Sequence, residues 1–368
     1  MERVPPFVYE ALPMRVRFAP GALAALPDEL DALGIARALI LATPEQAALA
    51  ARIAAALGSR AVGIHAQAVM HVPVAVAEAA RAEAARLDAD ACIAVGGGST
   101  IGLGKAIALT TSLPIVAVPT TYAGSEMTPI WGITEAGVKR TGRDRKVLPR
   151  SVVYDPDLTL TLPSSLSAVS GMNAIAHAIE ALYARDGNPI IALMAEEGIR
   201  ALAATLPVIV EAPTDEDARG QALYGAWLCG ACLGAVSMGL HHKLCHTLGG
   251  MLDLPHAETH TIILPHVAAY NAQAAPLALH RAARALGARD AATGLFDLAR
   301  RLRAPTALAS LGVREADLER VAEAAVASPY DNPRPVTGDG VRALLQDAFR
   351  GRRPVAAAGG SDGRGLHL

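Results

Sequence analysis

Up to about residue 160 the chain alternates short, strongly apolar runs with Ala-rich stretches whose apolar positions recur at helical spacing. Residues 38–41, 91–95 and 115–118 read as buried strands, and 45–57 and 74–87 as helices, which is the pattern of a parallel sheet covered by helices. From Ser164 onward nearly every segment has helical period: 164–185, 189–204, 214–240, 276–286, 291–303, 314–327 and 338–349. The expected architecture is therefore an α/β unit over residues 1–160 followed by an all-helical unit over 161–353. The remaining stretch, 354–368, is rich in Gly and Ala with neither period nor bulk, and is expected to be irregular or disordered.

Composition adds limits. An apolar fraction of 52% in 368 residues is enough for two cores. A formal charge of −2 offers no general attraction to nucleic acid or anionic lipid. Four cysteines (Cys92, Cys229, Cys232, Cys245) are too few for a disulfide framework and point to a reducing compartment, with the cytoplasm as the expected location. The first residues lack an apolar stretch after their charges and do not read as a secretory signal. Residues 223–240 run without a charge and contain the small-residue pattern Gly230-Ala231-Cys232-Leu233-Gly234, which also occurs in membrane helices. A buried helix of a helical domain explains the stretch better, and Cys229 and Cys232 within it read as core thiols rather than a redox pair.

Candidate chemistry starts at two turns. Gly96-Gly97-Gly98-Ser99 follows an expected strand and opens a helix, the setting in which free backbone N–H groups and the helix dipole hold a pyrophosphate. The block Pro119-Thr120-Thr121 to Gly124-Ser125-Glu126 follows another strand, so Thr120, Thr121 and Ser125 would join the same carboxyl edge of the sheet. Further on, Asn173 and His177 lie one helical turn apart, as do His242 and His246, and His256 follows after a short turn. These side chains can converge on one pocket.

Taken in order, the glycine turn, the Pro119 to Glu126 block, Tyr154-Asp155-Pro156 with Leu162-Pro163, the Asn173/His177 helix and the His242, His246, His256 series resemble the iron-containing alcohol dehydrogenase family, from about residue 7 to 350. The resemblance implies a dinucleotide-binding domain of Rossmann-like form, a helical catalytic domain, an active site in the cleft between them and a homodimer. Metal-dependent members of the family carry Asp where Asn173 stands, and usually Asp where Gly102 stands. A neutral amide is a much poorer support for a divalent ion than a carboxylate. Both departures resemble a metal-independent branch that uses NADH or NADPH to reduce the double bond of maleylacetate to 3-oxoadipate during bacterial breakdown of aromatic compounds. A small dicarboxylate is then the partner, with no metal, nucleic acid or membrane.

On that reading, partly protonated His177, His242 and His256 would donate to substrate carboxylates or to a developing enolate. His246 would supply the proton or polarise the acceptor, and Asn173 would orient the cluster or donate to substrate through its amide. His241, Lys243 and the Lys139-Arg140 pair read as solvated surface charges rather than anion contacts. For cofactor choice, Thr43 at the end of the second strand is neutral and Glu45 opens the next helix, from where it could reach back, so either nicotinamide cofactor is accommodated. Two other readings compete: a metal-dependent alcohol or polyol dehydrogenase of the same fold, and a nucleotide-binding protein without catalysis.

Overall fold

The computed structural model describes residues 7–12, 14–135 and 138–355. The tail expected to be irregular thus falls almost entirely outside the described residues. A six-stranded, all-parallel sheet forms the first unit, in the order β1 (Arg15–Phe18), β8 (Ser151–Tyr154), β5 (Ile115–Pro119), β4 (Ala91–Gly96), β2 (Ala38–Leu41), β3 (Ala61–His65). The central strands β2, β4, β5 and β8 are buried along their whole length, which explains why β2, β4 and β5 read as continuous apolar runs. Helices α1 (Leu26–Leu33), α2 (Ala47–Leu57), α3 (Val74–Arg86) and α4 (Gly98–Thr111) connect them. An antiparallel hairpin, β6 (Ile130–Glu135) with β7 (Val138–Arg143), stands apart from this sheet.

The sequence pattern does not reveal β1, β3, β8 or the hairpin. β1 and β3 are only partly buried edge strands, so their apolar runs are weak. β1 is held by polar chemistry: Arg15 and Arg17 pair with buried Glu29 of α1, whose Oε2 also accepts from Ser151 of β8. Asp155, just past β8, accepts from the backbone of Gly21 and Leu23 and so ties the turn after β1 to the sheet.

The second unit is helical: α5 (Ser164–Leu182), α6 (Pro189–Glu211), α7 (Glu216–Ala235), α8 (Leu240–Leu252), α9 (His256–Asn271), α10 (Pro276–Leu286), α11 (Ala291–Arg301), α12 (Leu318–Val326) and α13 (Gly338–Arg350). The charge-free stretch is not one helix. It breaks between α7 and α8, which meet at 93°, and among the described residues no single helix is long and apolar enough to cross a membrane. Small residues let α7 pack closely. A Cβ on Gly225 would lie 3.1 Å from the Gly198 carbonyl of α6, and one on Gly230 would lie 2.8 Å from Gly124 Cα. All four cysteines are buried and reduced, and burial pushes the Cys232 thiol up to about 12, as suits core thiols.

Candidate active site

The carboxyl edge of the sheet carries a cradle. β4 ends at Gly96, whose φ of +143° excludes ordinary side chains, and Gly97 precedes α4. The first N–H groups of α4, from Gly98, Ser99 and Thr100, have no partners within the helix. Thr120 follows β5, where its N–H donates to the Gly96 carbonyl at 3.1 Å and Gln46 reaches its hydroxyl. A Cβ on Gly97 would lie 3.0 Å from Thr121 Cγ2 and Oγ1, so the two turns touch. These atoms can hold a pyrophosphate through backbone N–H and hydroxyl groups. At the end of β2, Thr43 precedes a short turn in which the exposed Glu45 carboxylate accepts from the Thr43 hydroxyl. An acidic group therefore does stand at that strand end: Glu45 reaches back.

Ser125 lies deeper. Its carbonyl and hydroxyl accept from Lys105 Nζ of α4, which also donates to Thr128 Oγ1 and the Ile130 carbonyl. Burial pushes this lysine down to about 7, opposed by the nearby Glu126 carboxylate. Glu126 in turn accepts from Tyr154 Oη at 2.7 Å, so two of the spaced sequence motifs meet beneath the cradle. A Cβ on Gly102 of α4 would lie 2.8 Å from Val72 Cγ2, so a larger residue there would have to push that side chain aside. Val72 itself holds φ +47°, a costly conformation for a β-branched residue, of order 1–2 kcal/mol.

Opposite the cradle, α5, α8 and α9 present a row of imidazoles. His177 Nε2 donates to the Ala123 carbonyl at 3.2 Å, and its Nδ1 lies 2.9 Å from His242 Nε2. His242 Nδ1 lies 2.7 Å from Glu180 Oε2. His246 sits one turn along, 6.1 Å from the His242 ring and stacked at 6.2 Å on His256, the first residue of α9. Asn173 and His177 are both buried, one turn apart on α5, and Asn173 Oδ1 has no hydrogen-bond partner. The structure thus brings His177, His242, His246 and His256 together as spaced, with His246 the most exposed member.

Two expectations are corrected. His177 was expected to be partly protonated; burial, reinforced by the neighbouring His242, pushes it well below the usual histidine range, so it is neutral. His241 was expected at the surface, yet it is fully buried, with Nε2 2.9 Å from His260 Nδ1 and 3.7 Å from Cys245 Sγ. Lys243 is half-buried, with Nζ near Ser328 and over the Tyr330 ring. Arg140 pairs with Glu135, and the Lys139 side chain lies outside the described residues.

Sequence reasoning missed Glu180 and His260. Glu180 caps α8 from another helix, accepting from the backbone N–H groups of Gly239, His241 and His242. His260 lies 4.3 Å from the His256 ring and 5.0 Å from the His242 ring. The one available signal was helical spacing: Glu180 falls three residues after His177, and His260 four after His256.

Comparison with known proteins agrees with this geometry. The model of the iron-containing alcohol dehydrogenase family matches residues 13–156, and that of the C-terminal part of the same family matches 167–349. A maleylacetate reductase of Burkholderia cepacia is 61% identical over 348 residues, covering 95% of this chain and 99% of that protein. Crystal structures of maleylacetate reductases from Agrobacterium tumefaciens and Rhizobium sp. strain MTP-10005 are each 54% identical. Both superpose with a TM-score of 0.92 over 95% of this chain, and over 100% and 99% of their own.

Proposed function

This chain belongs to the iron-containing alcohol dehydrogenase family, and on that premise we propose that it reduces the carbon–carbon double bond of maleylacetate, giving 3-oxoadipate, with NADH or NADPH. It is an oxidoreductase acting on a small dicarboxylate. The observation that carries the reading is the row of imidazoles facing the cradle with Asn173 where a carboxylate would be needed to hold an ion. Such a row suits an acceptor that develops negative charge.

The bound nicotinamide cofactor supplies a hydride. Gly96, Gly97, Gly98, Ser99, Thr120 and Thr121 would hold its phosphates, and Thr43 with Glu45 would read the ribose. Ser125, tied to Lys105, fixes the height of the second turn. Hydride added to the carbon β to the ketone leaves an enolate, whose oxygen needs hydrogen-bond donors. His242 and His256, the latter stacked on His246, would receive substrate anions, Asn173, whose buried Oδ1 has no hydrogen-bond partner, stands beside them, and His246 would deliver a proton to the α carbon.

A divalent ion does not fit this donor set. Both ring nitrogens of His177 and both of His242 are already within hydrogen-bonding distance of other groups, and Asn173 brings no charge. We place the enzyme in the cytoplasm as a homodimer, with residues 1–160 binding the dinucleotide, 161–353 carrying the catalytic groups and 354–368 as an irregular tail. Four reduced cysteines support that location.

The test is NADH oxidation with freshly generated maleylacetate in the presence of chelator, alongside elemental analysis of the protein. Turnover that survives the chelator, with no stoichiometric iron or zinc, is expected. One metal per chain, with activity lost on its removal, would return the site to the alcohol-oxidising chemistry of other family members.

A further inference from the structure

We infer that Lys105 is a positioning residue for the cofactor: from inside α4 it locks the second turn of the cradle, residues 120–130, against the helix whose N-terminus forms the first. The inference rests on the proposed use of NADH or NADPH, and its test is read without maleylacetate.

Lys105 follows Gly98 by two helical turns on the same face of α4. It is fully buried, so it touches neither cofactor nor substrate and acts only through its contacts. Its Nζ lies 2.6 Å from the Ser125 carbonyl and 2.8 Å from the Ile130 carbonyl. Thr128 Oγ1 stands 2.8 Å away and Ser125 Oγ 3.3 Å. Carbonyls only accept, so Nζ donates to both of them whatever its charge. One atom of α4 thereby gathers Ser125, Thr128 and Ile130 onto a single point.

The flanks of the turn are fixed by other elements. Tyr154 of β8 donates to Glu126 Oε1 at 2.7 Å, and Gly124 packs on Gly230 of α7, where a Cβ on Gly230 would lie 2.8 Å from Gly124 Cα. What Lys105 sets is the offset of the turn along α4. A pyrophosphate shared between the first N–H groups of α4 and the hydroxyls of Thr120 and Thr121 reads that offset directly, because hydrogen bonds hold only over a narrow range of distance and angle. Core packing does not account for a lysine here. Burying an amine is costly, and an apolar side chain of similar length would fill the same volume without that cost. It would also leave the turn free to slide along the helix.

The experiment is fluorescence titration of NADH into the native enzyme, Lys105→Met and Thr128→Val, with calorimetric titration of adipate, an unreactive dicarboxylate, as the second readout. Lys105→Met keeps the length of the side chain and removes its donors, and Thr128→Val keeps the shape of a partner and removes its oxygen. NADH affinity should fall about tenfold in the first and about threefold in the second, the scale of a hydrogen bond lost wholly or in part. Adipate affinity should stay at the native value. A lysine that only supports the fold would lower the melting temperature and leave the NADH affinity of the folded protein as it is, and that result in Lys105→Met overturns the inference. Equal losses for NADH and adipate overturn it as well. Where Lys105→Met does not fold, Thr128→Val decides, and native NADH affinity in that variant overturns the inference. Native enzyme that binds no NADH would sink the proposed cofactor and this inference together, whereas failure to reduce maleylacetate would sink the proposed substrate and leave the inference separately decided.

Discussion

The cradle and the imidazole row face each other but are made differently. The cradle is backbone and small hydroxyls, drawn largely from residues 96–121, and its shape follows from turns that only glycine tolerates. The row is side chains from three helices, with partners 62 and 65 residues apart in the chain, and its shape follows from packing. Binding that relies on backbone N–H groups survives many side-chain changes and fails when a Cβ intrudes. Chemistry that relies on buried imidazoles fails when one hydrogen bond is redirected.

The sharpest way to separate the two is through His246. His246→Ala should lower kcat by about a hundredfold while KM changes little, because the residue acts as the proton moves. Steady-state kinetics decide it, and near-normal turnover would remove His246 from the mechanism. His256→Ala should show the opposite split, with most of its loss in KM.

On the cradle side, Gly97→Ala forces Thr121 aside by a few tenths of an ångström. NADH affinity should fall about tenfold, or roughly 1.4 kcal/mol, in a fluorescence titration. Binding of an unreactive dicarboxylate to the row should hardly change. Equal losses at both sites would mean that the two regions are not independent.

The regions also differ with pH. Burial holds the His177, His241 and His260 imidazoles well below 6.5, so they are neutral when folded but take protons in the unfolded chain. Their contribution is fully present above about pH 6.5 and is lost as the pH falls toward the folded values, by up to about 1.4 kcal/mol per pH unit for each group. Urea unfolding between about pH 7.5 and 5.5 should show this slope, and a His241→Asn variant should flatten it. A flat native profile would contradict neutral burial of the row.

The smallest effect concerns Glu45. With its carboxylate reaching back to Thr43, NADH should be preferred over NADPH, yet by less than about a hundredfold because the group is exposed and screened. Glu45→Gln should narrow the ratio of kcat/KM values by about fivefold. An unchanged ratio would assign cofactor choice elsewhere.

How legible each region was follows from the same difference. The strands β2, β4 and β5 and the glycine turn are local, so periodicity and turn chemistry found them. Helix α10 was found at its exact bounds for the same reason, with Pro276 at its start and Gly287 at its end. Helix α9 was not, because it is buried nearly all round and shows no polar stripe; Pro265 inside it reads as a break. Edge strands β1 and β3 escaped because their partners, not their own pattern, stabilise them.

The sequence by itself determined the fold class, the cradle and the identity of the histidines that share helix faces, since each depends on residues within a few positions of one another. Only the tertiary structure decided that His177 is neutral, that His241 is interior and that Glu180 reaches His242. Those properties depend on burial and on hydrogen bonds between helices distant in the chain, and no local spacing encodes the direction of a proton.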